Sequence, residues 1–120
     1  MNEKNSQAVW VTAAKEGILS ALKWAIDNKF ELNEQICSTA ARHGHLGLLK
    51  FLREHDIAWD SDVCAMAALS GNLEIIQWAR ENGCPWNGET TINAIRHGHA
   101  NVYYYALEHG LGRKRSAYVQ

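Results

Sequence analysis

Four glycines, Gly17, Gly44, Gly71 and Gly98, stand 27 residues apart in this 120-residue chain. A fixed internal period constrains a fold more than any other sequence feature, because each repeat is then one supersecondary unit that buries its apolar face against its neighbours. The same step joins Ala13, Ala40, Ala67 and Ala94, and it joins the aromatic column Trp24, Phe51, Trp78 and Tyr105. Leu19, Leu46 and Leu73 form an aliphatic column closed by Ala100, and Cys37 matches Cys64. Four units result, at about 9–35, 36–62, 63–89 and 90–116, within one domain spanning 1–120.

Ile36-Cys37-Ser38-Thr39-Ala40-Ala41-Arg42-His43 reads as a two-turn helix with its small and apolar residues on one side. Gly44 ends it, as suits the left-handed position past a helix C-terminus. Beyond the turn, Leu46, Leu48, Leu49, Phe51 and Leu52 recur at the spacings of a second amphipathic helix. Unit three repeats the scheme with Leu73, Ile75, Ile76, Trp78 and Ala79 and ends at Asn82-Gly83. Unit four does so with Val102, Tyr103, Tyr105, Ala106 and Leu107 and ends at Gly110. No period-two alternation competes, so the expected class is all-α, a helical-repeat solenoid of four helix-turn-helix units. The paired alanines of each first helix permit close helix approach, and the shared aromatic column predicts a continuous buried seam.

Ala67-Ala68-Leu69-Ser70-Gly71-Asn72-Leu73-Glu74-Ile75-Ile76, closing at Gly83-Cys84-Pro85-Trp86-Asn87, resembles the body and the Gly-x-x-x-Asn ending of an ankyrin repeat. Ala40-Ala41-Arg42-His43-Gly44-His45-Leu46 is a closer match, and the resemblance covers about residues 7–112. Repeats of that family run to about 33 residues, so about six are missing here, after Asn87, where the family carries its β-hairpin finger. The resemblance therefore implies an ankyrin-like solenoid with shortened hairpin loops. Short units with this ending resemble the divergent ankyrin arrays common in giant viruses, algae and oomycetes. A viral source would place the protein in the host cytoplasm.

The resemblance also implies roles for particular residues. The two positions between the alanine pair and the glycine face the concave side in the family, and here they are Lys15-Glu16, Arg42-His43, Leu69-Ser70 and Arg96-His97. In the family's x-Gly-His turn the second histidine, here His45 and His99, bonds the backbone of the adjacent turn, a task Asn72 can share. The row changes chemistry from unit to unit while the packing columns stay nearly fixed. The expected function is thus a scaffold or adaptor binding a partner protein through the concave face. Trp59 and Trp86 share a position after the second helix, and with Asp60 and Asn87 they are secondary contact candidates. The commoner use of such a tryptophan is as a wedge between neighbouring loops.

Twelve Lys+Arg against 13 Asp+Glu leave a net charge of −1, which gives no whole-molecule attraction to nucleic acid or anionic lipid. Nucleic-acid contact is the alternative function, through Arg42, His43, Arg96 and His97 with the basic end Arg113-Lys114-Arg115. The net charge and the interposed Leu69-Ser70 weigh against it. No apolar run approaches the roughly 18 residues of a membrane span, and the polar start lacks a signal peptide's apolar region. Three widely spaced cysteines argue against a disulfide framework and for a reducing compartment, so a cytoplasmic location is expected.

Six histidines and three cysteines raise the question of zinc. His43 with His45, and His97 with His99, flank a turn glycine instead of lying four apart on a helix, so no metal and no cofactor are expected. Cys37 and Cys64 suit the interior as small apolar residues, and Cys84, after a helix-ending glycine, is expected to be partly exposed. Asp60, Ser61, Asp62 and His55 resemble a catalytic group only in composition, because Ser and Asp at a helix start are ordinary caps. With no phosphate-cradling loop and no His-Glu-x-x-His helix, the chain is not expected to be an enzyme. Ala117-Tyr118-Val119-Gln120 continues the register, with Tyr118 in the Cys37/Cys64 column.

Overall fold

Two left-handed backbone positions per repeat set the ends of the helices. The computed structural model describes residues 3–111, with side chains from residue 7, and among them it holds eight helices and no strand. These are α1 (Glu3–Glu16), α2 (Leu19–Asp27), α3 (Glu34–Arg42), α4 (Leu46–Glu54), α5 (Asp62–Ser70), α6 (Leu73–Glu81), α7 (Gly88–Arg96) and α8 (Ala100–Glu108). Each of α2 to α8 is nine residues long, whereas α1 has 14 and begins four residues before the position in register with the starts of α3 and α7. Arg113-Lys114-Arg115 and the segment 117–120 lie outside the described residues.

Gly17, Gly44, Gly71 and Gly98 carry φ between +74° and +79° and end each first helix. The next residue returns its N–H to the carbonyl five back, as in His45 to Ala40 at 2.9 Å and Asn72 to Ala67 at 2.8 Å, the Schellman closure that needs a left-handed residue inside it. A second set, Lys29, Asp56, Gly83 and Gly110, closes the second helices in the same way. Lys29 (φ 66°) and Asp56 (φ 61°) are the two non-glycine members. The starts of the first helices are also periodic. Asn33 Oδ1 accepts from Gln35 N at 3.0 Å, Asp60 Oδ1 from Asp62 N at 2.9 Å and Asn87 Oδ1 from Glu89 N at 3.0 Å, satisfying donors that a helix start leaves open.

Each first helix packs on the second helix that follows it, and the first helices touch in succession, α1 on α3, α3 on α5 and α5 on α7. The body is elongated accordingly, 58 × 24 × 24 Å. Ala14, Ala40, Ala41, Ala67 and Ala68 are fully buried, since only a methyl side chain lets successive first helices approach so closely. Leu22, Leu49, Leu52, Ile76 and Val102 fill the space behind them.

The aromatic column departs from the expected buried seam. Trp24 is 54% exposed, and Phe51, Trp78 and Tyr105 are half-buried. The column does not stack on itself. Trp59, from the loop before α5, meets Trp78 edge-on at 5.6 Å, and Trp86 meets Tyr105 at 6.0 Å. Trp78 and Tyr105 therefore each lean on a loop tryptophan of the preceding pair, whereas Trp24 meets rings of its own pair, Trp10 at 6.1 Å and Phe30 at 5.7 Å.

Candidate functional site

The eight row residues come to one place in the fold, the C-terminal ends of the first helices. Lys15-Glu16 and Leu69-Ser70 are the last residues of α1 and α5, and Arg42-His43 and Arg96-His97 the last residue and cap of α3 and α7. Seven of the eight side chains are exposed and Leu69 is half-buried. Ser70 Oγ is committed locally, donating to Met66 O at 3.2 Å and accepting from Asn72 Nδ2 at 2.9 Å. Among the described residues no hydrogen bond or ion pair engages the side chains of Arg42, His43, Arg96 or His97. Arg42 and Arg96 stand where the helix dipole is negative, which favours a cation and leaves both guanidinium forks facing solvent.

Behind the row, the turns tie each pair to the one before. His45 Nε2 donates to Lys15 O at 2.9 Å and His99 Nε2 to Leu69 O at 3.1 Å, because a carbonyl can only accept. Asn72 Nδ2 reaches Ala41 O at 3.4 Å. The expected task of His45, Asn72 and His99 is thus the one the structure gives them. Asn93, buried, adds a donation to Ala65 O at 2.8 Å between α7 and α5.

The secondary candidates hold the loops together. Arg53 lies 4.4 Å over Trp59 and donates to Ile57 O at 2.5 Å, and Arg80 lies 4.7 Å over Trp86 and donates to Cys84 O. The tryptophans are therefore sandwiched between an arginine of their own pair and an aromatic of the next, instead of wedged between loops. Asp60 and Asn87 are the helix caps described above, and Asn87 Nδ2 also donates to Ser61 Oγ at 3.1 Å. His55 of the supposed catalytic group packs against Phe51, its ring tilted by 42° at 4.4 Å, and bonds its carbonyl. Asn28, Asn82 and His109 make the same back-bond to Trp24, Trp78 and Tyr105. Apart from the Ser and Asp start of the third unit, neither the caps nor these back-bonds were singled out from the sequence, although both sets recur every 27 residues.

All three cysteines are buried, which corrects the expected exposure of Cys84. Its Sγ donates to Asp60 O at 3.4 Å because the left-handed Gly83 turns the chain inward there. A hydrogen bond with Cys64, and then burial, hold the Cys84 thiol well above its ordinary range. Burial pushes Cys37 up to about 12. Neither is a thiolate at neutral pH, and a thiol is a poor nucleophile and metal ligand. Among the described residues no three His, Cys, Asp or Glu side chains converge as a metal site would require. An open cleft of about 980 Å³ lies on the loop side of the first two pairs, between Ile26, Phe30, Asp56 and Ile57, and no residue of the row lines it. No described helix is long and apolar enough to cross a membrane. Compared with protein-family models and with curated proteins, the chain matches none.

Proposed function

We propose that this chain is an ankyrin-like helical-repeat module, with hairpin loops shortened, that binds a partner protein through the row formed by Lys15, Glu16, Arg42, His43, Leu69, Ser70, Arg96 and His97. One observation carries the reading. The row occupies the same structural position in all four pairs, exposed and chemically varied, while the columns behind it repeat. Uncommitted arginines are suited to carboxylate recognition because the planar fork loses little freedom on binding.

Arg42 and Arg96 flank Leu69, so the row suits an extended segment with acidic groups on either side of an apolar one. Two helix-packing steps of about 10 Å separate the arginines by about 20 Å, which about six extended residues span at about 3.3 Å each. The test is selection from a displayed peptide library by the immobilised protein and by the double variant Arg42→Glu with Arg96→Glu. Wild type should enrich acidic–apolar–acidic segments, and the double variant should lose them while its melt stays within about 1 kcal/mol per site. Equal enrichment by both proteins would place the contact elsewhere.

A further inference from the structure

Among the described residues, every conspicuously exposed large apolar side chain belongs to the first or the last helix pair. Val9, Ile18 and Trp24 are 51%, 46% and 54% exposed at one end, and Ile92, Ile95 and Tyr104 are 40%, 62% and 59% exposed at the other. Their equivalents inside the stack are covered. Ile36, Val63 and Thr90, in register with Val9, are all 0% exposed, as are Ala14, Ala41 and Ala68, in register with Ile95. Each first helix thus has a back face covered by the preceding pair and a front face covered by the following one. The back face of the first pair and the front face of the last have no such cover among the described residues.

The turns carry the same asymmetry. A Cβ on Gly17, Gly44 or Gly71 would meet His45, Asn72 or His99 of the next pair, whereas a Cβ on Gly98 would meet nothing within 4 Å. Beside Gly98 lies a hollow of about 230 Å³ lined by Ile95, Tyr103 and Tyr104. In the first pair, the position of His45, Asn72 and His99 is taken by Ile18. The front face also departs from the repeat in one direction. Ile92 stands where Val11, Ser38 and Ala65 stand, Ile95 where the alanines stand, and Tyr104 where Lys23, Lys50 and Gln77 stand. An outermost unit left in water carries a polar outer face, and the front face of the last described pair is more apolar than the interior equivalents.

We propose that copies of this chain associate head to tail, the first pair of one copy seating on the last pair of the next, with Ile18 over the partner's Gly98 and Val9 against the partner's Ile92 and Ile95. The two faces are the halves of an interface the chain already forms three times within itself, α1 on α3, α3 on α5 and α5 on α7. The side-chain donor of the inner ties is replaced by Ile18 at one end, and the face that receives it at the other gains Ile92, Ile95 and Tyr104, so the apolar substitutions at the two ends match. The isoleucines hold the helices farther apart than paired alanines do, and the hollow beside Gly98 receives the Ile18 side chain. Front to back is a heterologous contact that does not close on itself, so growth continues past two copies. The proposal does not depend on the partner-binding row, which stays open along the assembly.

Sedimentation across a concentration series tests it with Ile95→Glu, which spoils only the front face, and Val9→Glu, which spoils only the back. Both sites are exposed, and circular dichroism checks that each variant is folded. Ile92→Lys and Ile18→Lys serve as a second pair. Wild type should grow beyond two chains, and each single variant should sediment as one chain. The equimolar mixture should return to two, because one intact front and one intact back remain. A wild type that stays monomeric, or a mixture that does, overturns the proposal. So does a dimer abolished by Ile95→Glu and untouched by Val9→Glu, which would be a symmetric front-to-front contact.

Discussion

Gly71 and Gly98 hold nearly the same backbone, φ +79° and +74°, yet they differ in what an added methyl group would touch. The left-handed penalty for a Cβ is about 1–2 kcal/mol at either site, partly offset by the roughly 0.4–1 kcal/mol that alanine removes from unfolded-chain entropy. Gly98→Ala should therefore destabilise by about 1 kcal/mol or less. At Gly71 the Cβ would stand 2.6 Å from His99 Nδ1 and 2.7 Å from Cε1, on a ring whose Nε2 is bonded to Leu69 O. The imidazole must leave, which forfeits a hydrogen bond of about 0.5–1.5 kcal/mol and strands a partly buried acceptor at about 1–3 kcal/mol. Gly71→Ala should cost about 2–4 kcal/mol in all. Gly44→Ala, with Asn72 at an ordinary 3.5 Å, should behave more like Gly98→Ala, and Gly17→Ala, with His45 at 2.8 Å, like Gly71→Ala. Urea unfolding at constant m-value measures the series. In a His99→Ala background the cost of Gly71→Ala should fall to the Gly98 level. Equal costs at Gly71 and Gly98, or no coupling in that cycle, would refute the turn as a tie between pairs.

Lys29→Gly should stabilise by about 0.5–1 kcal/mol in thermal melts, because Lys29 holds φ 66° without the local hydrogen bonding that lets Asp visit this region; Asp56→Gly should gain less. Trp78→Ala should cost about 2–3 kcal/mol, below the roughly 3–5 kcal/mol of a fully buried large aromatic, since Trp78 is half-buried and leans on Trp59. Cys37 holds its proton to about pH 12 in the folded chain against an ordinary 9.0. The unfolded state thus binds fewer protons in that window, so its share of stability is complete below about pH 9 and falls by about 1.4 kcal/mol per pH unit up to about 12; a Cys37→Ala variant should show a shallower alkaline loss in denaturant titrations. At neutral pH a thiol reagent should label no cysteine until denaturant is added, and fast labelling of Cys84 in the native protein would contradict its burial.

The period placed the helices because it registers contacts that recur identically from pair to pair. Alanine pairs, turn glycines and leucines are set by contacts that recur identically, so their columns were legible, as were the roles of His45, Asn72 and His99. What escaped was set by how the loops fold back between pairs. Trp24 and Trp78 share a column, yet one is exposed and the other half-buried, since a loop tryptophan of the preceding pair covers Trp78, whereas among the described residues Trp24 meets only rings of its own pair, Trp10 and Phe30. Arg53 and Arg80 look like ordinary charged residues of a helix's last turn, and only the fold back of the loop brings Trp59 and Trp86 beneath them. Cys84 was misjudged because burial there follows from the direction Gly83 gives the chain. The start of the third unit's first helix was read as a cap, but the periodic set Asn33, Asp60 and Asn87 was missed, its 27-residue spacing masked by the change from Asn to Asp.

The ties between pairs lie on either side of the row. Imidazole or amide over glycine secures the turn, and tryptophan under arginine secures the loop. The side chains of Arg42, His43, Arg96 and His97 join neither set, so their chemistry can vary with little effect on stability beyond the helix-dipole contribution of about 0.3–1 kcal/mol. Leu69 is different. Its side chain is half-buried and its carbonyl accepts the His99 bond, which couples the one apolar station of the row to the junction between the third and fourth pairs. A ligand seated on Leu69 would therefore be felt at that junction. One seated on Arg42 and Arg96 alone would not, and hydrogen exchange at His99 and Ala100 in the two cases separates the modes of binding.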